Sequence, residues 1–176
     1  MMRRSLMSLA LAAAAALAVT PVAMAETSLS GEMDLKWNTC YGAPPSEEIP
    51  DWIGTVELDG NLYDMLFFNV GTGRPPTDRV EEPELSVHEL WAIYDGLELT
   101  FDDECAVETF EGDVVMWGHD YGVANFAETF DFYMAGTVLE AFGDYADLAG
   151  HPMEVSGTVV MGETGPEGAP GQFNVT

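Results

Sequence analysis

Residues 54–70 carry the pattern that most limits how this chain can fold: two runs of β-prone residues on either side of Asp59-Gly60-Asn61. Asp, Gly and Asn accept a positive φ at little cost, so the chain can reverse within two residues and pair with itself. We therefore predict a β-hairpin. Its second arm, from Leu62 to Val70, is apolar on both faces, which indicates a strand that is covered on both sides.

Most of the remaining chain repeats this pattern of short alternating runs divided by turns rich in glycine or proline. Helical periodicity is nearly absent after residue 25, apart from one turn at 144–149, so the helices needed for parallel crossovers are missing. Further strands are predicted at 28–37, 87–94, 97–101, 105–110, 114–119, 126–134, 137–142 and 153–161, with a short closing strand near the C-terminus. Reversals are predicted at Asp95-Gly96 and at Glu111-Gly112-Asp113. The predicted fold is all-β, an antiparallel β-barrel of about eight strands, with a β-sandwich as the alternative.

A recurring tripeptide favours the barrel over the sandwich. Gly-Thr-Val opens strand-forming runs at Gly54, Gly136 and Gly157. A glycine inside a strand permits a sharp bend or a bulge, and a barrel needs such corners in order to close. Chance recurrence of a common tripeptide is the competing explanation.

Residues 1–25 have the features of an export signal. Arg3 and Arg4 give a basic start, residues 6–19 are apolar, and Ala23-Met24-Ala25 supplies small residues before a cleavage site. The apolar run is too short to span a bilayer comfortably. The sequence therefore predicts a signal peptide followed by a single domain at 26–176, which is secreted or periplasmic and has no membrane attachment after cleavage.

The charge balance restricts the possible partners. The chain has 31 acidic and five basic residues, a net charge of −26, and cleavage after residue 25 would remove two of the basic ones. Such a protein repels nucleic acid and anionic membranes, so we expect neither as a partner. The acids are spread along the chain, which favours a halophilic source, where salt screens their repulsion, over a dedicated cation store.

Two cysteines, Cys40 and Cys105, both lie in the predicted exported part. In an oxidising compartment we expect them to form one disulfide bond. A thiol that binds a metal or acts as a nucleophile is the alternative, but neither cysteine has a neighbouring Cys or His at ligand spacing.

Two histidine-containing segments are the candidates for acid–base chemistry. His119-Asp120-Tyr121, between two glycines, would place an imidazole, a carboxylate and a phenol at a barrel mouth. Adjacent strand residues point to opposite faces, however, so these groups converge only if the glycines break the strand, and a polar turn is the alternative. His88 would line the interior if Leu90 and Tyr94 do, and would then hold the polar end of a ligand.

Neither a metal nor a cofactor is predicted. The acidic groups Asp102-Asp103-Glu104 and Glu81-Glu82 lack the spacing of a calcium loop and are better explained as solvated turns. Zinc patterns, phosphate-binding glycine loops and nucleophile elbows do not occur. With these motifs excluded, the remaining candidate site is an apolar pocket that binds a ligand. Its predicted lining is Phe67, Phe68, Trp91, Tyr94 and Trp117.

The last third of the chain resembles small secreted or plastid barrels of the allene oxide cyclase and dirigent type. The resemblance rests on Gly136-Thr137-Val138, Ser156-Gly157-Thr158-Val159 and a glycine-rich end before Phe173. Those families close with a Gly-Gly-Thr-Gly-x-Phe-like segment, from which the residues at 168–173 depart. The resemblance implies an eight-stranded barrel with an apolar pocket and assigns no catalytic residue.

Three functions follow as hypotheses. The first is a non-enzymatic barrel that binds a small apolar or aromatic ligand. The second is an isomerase or cyclase that uses His119 or His88 as its acid or base. The third is an oligomeric structural or interaction module, with the doubly apolar strand as the seam between copies.

Overall fold

The computed structural model describes residues 28–41, 49–73, 84–125 and 129–176, and the predicted signal peptide lies outside these ranges. The described part contains nine strands and one short 3₁₀ helix, Gly143–Leu148. The strands are β1 (Leu29–Trp37), β2 (Trp52–Leu58), β3 (Asn61–Gly73), β4 (Glu84–Phe101), β5 (Val107–Asn125), β6 (Asp131–Ala141), β7 (Pro152–Thr158), β8 (Val160–Met161) and β9 (Pro166–Val175). Within these ranges no helix is long and apolar enough to cross a membrane.

The strands close into an antiparallel barrel, which confirms the predicted fold class. Strands β1 to β7 pair in sequence order, β9 pairs with β7, and β9 also pairs with β1. Eight strands therefore form the closed wall, and β8 pairs only with β9. The chain end predicted as a short closing strand is in fact ten residues long, because β9 must pair along both of its neighbours.

The inward-facing side chains follow one parity along each strand. Leu29, Met33 and Leu35 on β1 alternate with exposed residues, and the same alternation fills the core from the other strands. The most completely buried large side chains at inward positions include Phe67, Met65, Trp91, Ile93, Met116, Val155 and Phe173. The Trp91 ring contacts Phe173 edge to face at 5.2 Å, so this part of the barrel is filled by its own side chains.

The hairpin predicted at residues 54–70 is present. Strand β2 turns through Asp59 and Gly60 into β3, and both turn residues have positive φ, 50° and 77°. This is the backbone twist that two-residue hairpin turns require, and the reason that Asp-Gly is favoured there.

The reversals predicted at Asp95-Gly96 and at Glu111-Gly112-Asp113 are wrong. Strands β4 and β5 run through both positions as one long hairpin, and Asp95 pairs with Asp113. The two glycine segments lie opposite each other, so they bend the two-stranded ribbon together instead of reversing the chain. The true reversal lies between Phe101 and Val107, where Cys105 has φ of 62°.

The bent end of this long hairpin covers the outside of the barrel. Its tip carries Cys105, which is disulfide-bonded to Cys40 just after β1, as predicted. A straight hairpin would point away from that end of β1, so the bond requires the ribbon to fold back across the intervening strands. At the bend, the backbone N–H of Leu97 donates to the Asp64 carboxylate of β3 over 2.9 Å.

The folded-back ribbon explains the doubly apolar arm of the first hairpin. Met65 and Phe67 point into the barrel, whereas Leu66 between them points outward and is nevertheless fully buried. The hydrogen bond from Leu97 to Asp64 holds the bend of the ribbon against the outer side of β3. The strand is therefore covered on both sides at Leu66, as its sequence predicts, whereas Leu62 next to the turn is 68% exposed.

The three Gly-Thr-Val glycines mark places where neighbouring strands approach closely. A Cβ atom built at Gly54 would collide with the backbone oxygen of Asp34 on β1. At Gly136 it would meet the oxygen of His119, and at Gly157 that of Pro170. A side chain would force the strands apart at these points, where the wall coils tightly.

Candidate ligand-binding site at one end of the barrel

A cavity of about 320 Å³ opens at the end of the barrel where β1 finishes and β2 begins. Three aromatic side chains, Trp37, Tyr41 and Trp52, stand at this end, and two carboxyl groups, Asp51 and Glu89, lie among them. The rest of the lining is Asn69, Thr72, Val87, Ala124, Met134 and Pro166. The volume is at the lower end of the range typical of small-molecule sites.

The three aromatic side chains form a corner, in which the Trp37 ring packs edge to face against the other two. The Trp37 ring meets Trp52 at 5.0 Å and 79°, and meets Tyr41 at 5.4 Å and 82°. Trp37 and Trp52 are direct cross-strand partners on inward positions. Below this corner the cavity narrows to a void of about 20 Å³ bounded by Phe67, Glu89 and other core residues.

Asn38 fixes the connection between β1 and β2 that carries Tyr41 and Asp51. Its backbone N–H donates to the Asp51 carbonyl over 2.9 Å, and its side-chain amide donates to the Pro50 carbonyl over 2.8 Å. Its side-chain oxygen accepts from the backbone N–H of Cys40 over 3.0 Å. Because Asn38 is buried and Cys40 is disulfide-bonded, both ends of the connection are held in place.

Three acidic side chains are buried in this end of the barrel. Asp51 and Glu89 are each 2% exposed, and Asp120 is fully buried. Glu89 on β4 and Asp120 on β5 are direct cross-strand partners on inward positions, and Asp51 immediately precedes β2. The one lysine or arginine in the described ranges, Lys36, is exposed and bonded to Asp34, so it does not neutralise them.

Burial raises the pKa of each of these carboxyl groups, because ionisation in an apolar environment is costly. The pKa of Asp51 rises to about 7, although the backbone N–H groups of Asp51, Trp52 and Asn69 oppose the rise. Burial, together with the charge of Asp51, raises the pKa of Asp120 to about 7. Burial and the charges of Asp51 and Asp120 hold the pKa of Glu89 well above its ordinary value.

Several polar atoms in this region lack a hydrogen-bond partner. They are Oδ1 of Asp51, Oε2 of Glu89, both carboxyl oxygens of Asp120, Oδ1 of Asn69 and Nε1 of Trp91. A buried unpaired polar group costs about 1–3 kcal/mol, and most such groups in proteins are paired. Three of these oxygens, on Asp51, Asn69 and Glu89, belong to side chains that line the cavity.

The five predicted ligand-binding aromatic residues do not line one pocket. Phe67 and Trp91 point into the barrel, where Phe67 bounds the small void and Trp91 is 99% buried in the core. Phe68, Tyr94 and Trp117 have the opposite parity and lie on the outer side of the wall. There Tyr94 meets Phe110 at 5.6 Å, and Trp117 donates from Nε1 to Glu140 over 3.1 Å.

The predicted acid–base residues are divided by the barrel wall. Because Leu90 and Tyr94 point outward, His88 does too, and it stacks on Tyr121 at 3.9 Å. His119 lies beside them, with its ring centre 5.5 Å from that of Tyr121. Asp120 points inward, because β5 continues unbroken through Gly118 and Gly122. His119, Asp120 and Tyr121 therefore do not converge.

The principal residues of this cavity were not among the predicted site residues. Glu89 carries a usable signal, because it shares the parity of Val87, Trp91 and Ile93 and is therefore an acid within an apolar inward row. No sequence signal of this kind marks Asp51, because its burial depends on the path of the connection between β1 and β2. Across the described ranges no three His, Cys, Asp or Glu side chains are grouped as metal ligands.

Comparison with known proteins does not assign this chain to a family. No protein-family model, curated protein or solved structure matches the sequence or the fold significantly. The resemblance to allene oxide cyclase and dirigent-type barrels stays a prediction. The barrel fold rests on the strand pairing alone.

Proposed function

We propose that this protein is an exported, acidic β-barrel that binds a small ligand with an apolar or aromatic body in the cavity between Trp37, Trp52 and Glu89. The observation that carries the proposal is the cavity itself: about 320 Å³, open at one end of the barrel, with aromatic side chains and a few buried polar groups in its lining. This combination is typical of small-molecule sites.

Export is part of the proposal. The disulfide bond between Cys40 and Cys105 suits an oxidising compartment, and the first 25 residues have the composition of a signal peptide. The high acidity suits a saline environment, where dissolved ions screen the repulsion between carboxylates.

An isomerase or cyclase acting through His88 or His119 has less support. Both imidazoles lie on the outer side of the wall, where His88 stacks on Tyr121 and His119 meets it edge to face, and neither faces the cavity. Replacing each histidine with alanine tests this alternative: a loss of turnover of any accepted substrate would favour the enzyme.

The third hypothesis, an oligomeric module, has one observation in its favour. Tyr121 and Tyr133 are 55% and 47% exposed on the outer faces of the neighbouring strands β5 and β6. Sizing chromatography over a range of concentrations tests it, since a monomer throughout would exclude a self-associating role.

Fluorescence titration with a neutral probe, N-phenyl-1-naphthylamine, tests the ligand-binding proposal. We expect saturable probe emission and quenching of tryptophan emission, because Trp37 and Trp52 line the cavity. The Trp52→Phe variant should lose much of the quenching, whereas the control Trp117→Phe, on the outer face, should keep it. A wild-type protein that is folded by near-UV circular dichroism and shows no saturable probe binding would overturn the proposal.

A further inference from the structure

We propose that the ligand carries a positively charged nitrogen, held between the Asp51 and Glu89 carboxyl groups and the faces of Trp37, Tyr41 and Trp52. This inference rests on the proposed function and specifies the chemical class of its ligand: a small organic cation, such as an alkylated amine.

The first argument comes from the unpaired oxygens. Asp51 and Glu89 are each 98% buried, both line the cavity, and each has one carboxyl oxygen without a partner. A carboxylate oxygen accepts hydrogen bonds and attracts cations but donates nothing. The side chains that line the cavity therefore carry acceptors that the protein leaves unsatisfied, and a positively charged ligand group placed against these side chains would offset them.

The second argument comes from the aromatic corner. The rings of Trp37 and Trp52 are perpendicular within 11°, and the Tyr41 ring makes a similar angle with Trp37. Perpendicular aromatic faces around one space are the arrangement by which proteins hold alkylammonium groups, because the face of each ring is electron-rich. Each such contact contributes about 0.5–2 kcal/mol.

The third argument is the balance of charge. Three buried acids lie together with no basic side chain among the described residues to offset the charge that Asp51 and Asp120 acquire above about pH 7, and the chain as a whole carries −26. A field of this sign raises the local concentration of cations and repels anions. An anionic ligand would have to enter against both the local and the overall charge.

The size of the cavity distinguishes an organic cation from a bare metal ion. A space of about 320 Å³ with an apolar aromatic wall is much larger than one ion needs, and metal ions prefer several oxygen ligands around one point. The aromatic faces would contribute little to a hydrated metal ion, whereas they contact the alkyl groups of an ammonium directly.

The test compares a cation with its neutral isostere. Choline and 3,3-dimethylbutan-1-ol have the same shape and differ in the charge of one atom, and both displace a bound neutral probe if they enter the cavity. At pH 8 and constant ionic strength, we expect choline to displace N-phenyl-1-naphthylamine at about tenfold lower concentration than the alcohol.

Isosteric variants assign the preference to the two acids. In Asp51→Asn the ratio between choline and the alcohol should fall toward one while the neutral probe still binds, which also shows that the variant folds, whereas Glu89→Gln should reduce the ratio less, because burial disfavours the ionised form of Glu89. The control Glu108→Gln removes an exposed charge on β5 and should leave the ratio unchanged.

Two outcomes would overturn the inference. Equal displacement by choline and the alcohol in the wild-type protein, with the probe bound, would remove the cation preference and leave the proposed function intact. Displacement by calcium chloride at the same concentrations as choline would indicate a metal-ion site instead. Failure of the neutral probe to bind at all is a different result, because it contradicts the proposed function itself.

Discussion

Glu89 and Asp120 are direct cross-strand partners with both carboxyl groups inside the barrel. Directly opposed residues of this kind have Cβ atoms about 4.5–5.5 Å apart, so the two groups repel each other when both are ionised. Asp51 adds a third carboxyl to the same end of the barrel. The interior is thus built around acids that are uncharged or only partly charged near neutral pH, which makes both stability and binding sensitive to pH.

The Asp120→Asn variant should be more stable than the wild type at pH 8 and nearly equal at pH 4. The pKa of Asp120 is raised to about 7 in the fold, against about 3.9 when unfolded, so the folded state holds a proton that the unfolded state releases. The contribution of protonated Asp120 to the stability of the fold is fully present below about pH 4 and is lost as the pH rises to about 7. Urea unfolding at both pH values should show a gain of about 2–4 kcal/mol at pH 8.

High salt isolates this effect from the repulsion between surface acids. At about 1 M NaCl the screening length is about 3 Å, so exposed charges contribute little. Glu108→Gln, which removes an exposed acid, should then change stability equally little at both pH values. An Asp120→Asn variant that is destabilised by the same amount at pH 4 and pH 8 would contradict the prediction.

Binding of choline should tighten as the pH rises from 5 to 8. The pKa of Asp51 is raised to about 7 by burial, and a cation binds the ionised form, so binding releases a proton below that pH. The groups that set this titration are Asp51, Glu89 and Asp120, whereas the neighbouring Tyr41 phenol, whose pKa is raised by burial, stays protonated throughout this range. Calorimetry in two buffers of different ionisation enthalpy measures the proton release, and an affinity that is constant from pH 5 to 8 would contradict the prediction.

Loss of the disulfide bond should destabilise the protein by about 4 kcal/mol. Cys40 and Cys105 are 65 residues apart, and closing a loop of that length restricts the unfolded chain by about this amount. We expect Cys40→Ser/Cys105→Ser to unfold at lower urea concentration and to show faster hydrogen exchange in the ribbon at 97–110. Reduction of the wild type should give the same shift and have no effect on the double variant. An unchanged midpoint would mean that the ribbon is held by packing alone.

A methyl group at Gly136 should be much more costly than one at Gly71. At Gly136 the added Cβ meets the backbone oxygen of His119, whereas at Gly71 its nearest neighbour is the His88 Cβ at 3.9 Å. We expect Gly136→Ala to cost at least about 2 kcal/mol and Gly71→Ala to be within about 1 kcal/mol of the wild type. Thermal unfolding of the pair gives the comparison, and equal costs would show that the close approach of β5 and β6 can relax.

Local pattern was sufficient for the positions of most strand-forming residues, for the first hairpin and for the barrel class, but not for where β4, β5 and β6 begin and end. Period-two alternation and the Asp59-Gly60 turn are short-range properties, and a turn of this type leaves the two flanking strands little choice of register. The disulfide pairing also followed from the sequence, since only Cys40 and Cys105 were available. The predicted reversal at Gly96 was wrong because a glycine with positive φ is compatible with a bend as well as with a chain reversal. Only the pairing of Asp95 with Asp113 shows that the chain bends here.

The tertiary structure decided which face of each strand is inside, and with it the site. Parity separates Asp120 from His119 and Tyr121, and Phe67 from Phe68, although each set is contiguous in the chain. Barrel closure brings Glu89 of β4 to the same cavity as Trp37 of β1, and the connection tied by Asn38 buries Asp51 beside them. These contacts join residues far apart in sequence, so they depend on strand pairing and closure around the whole barrel, which no local pattern records.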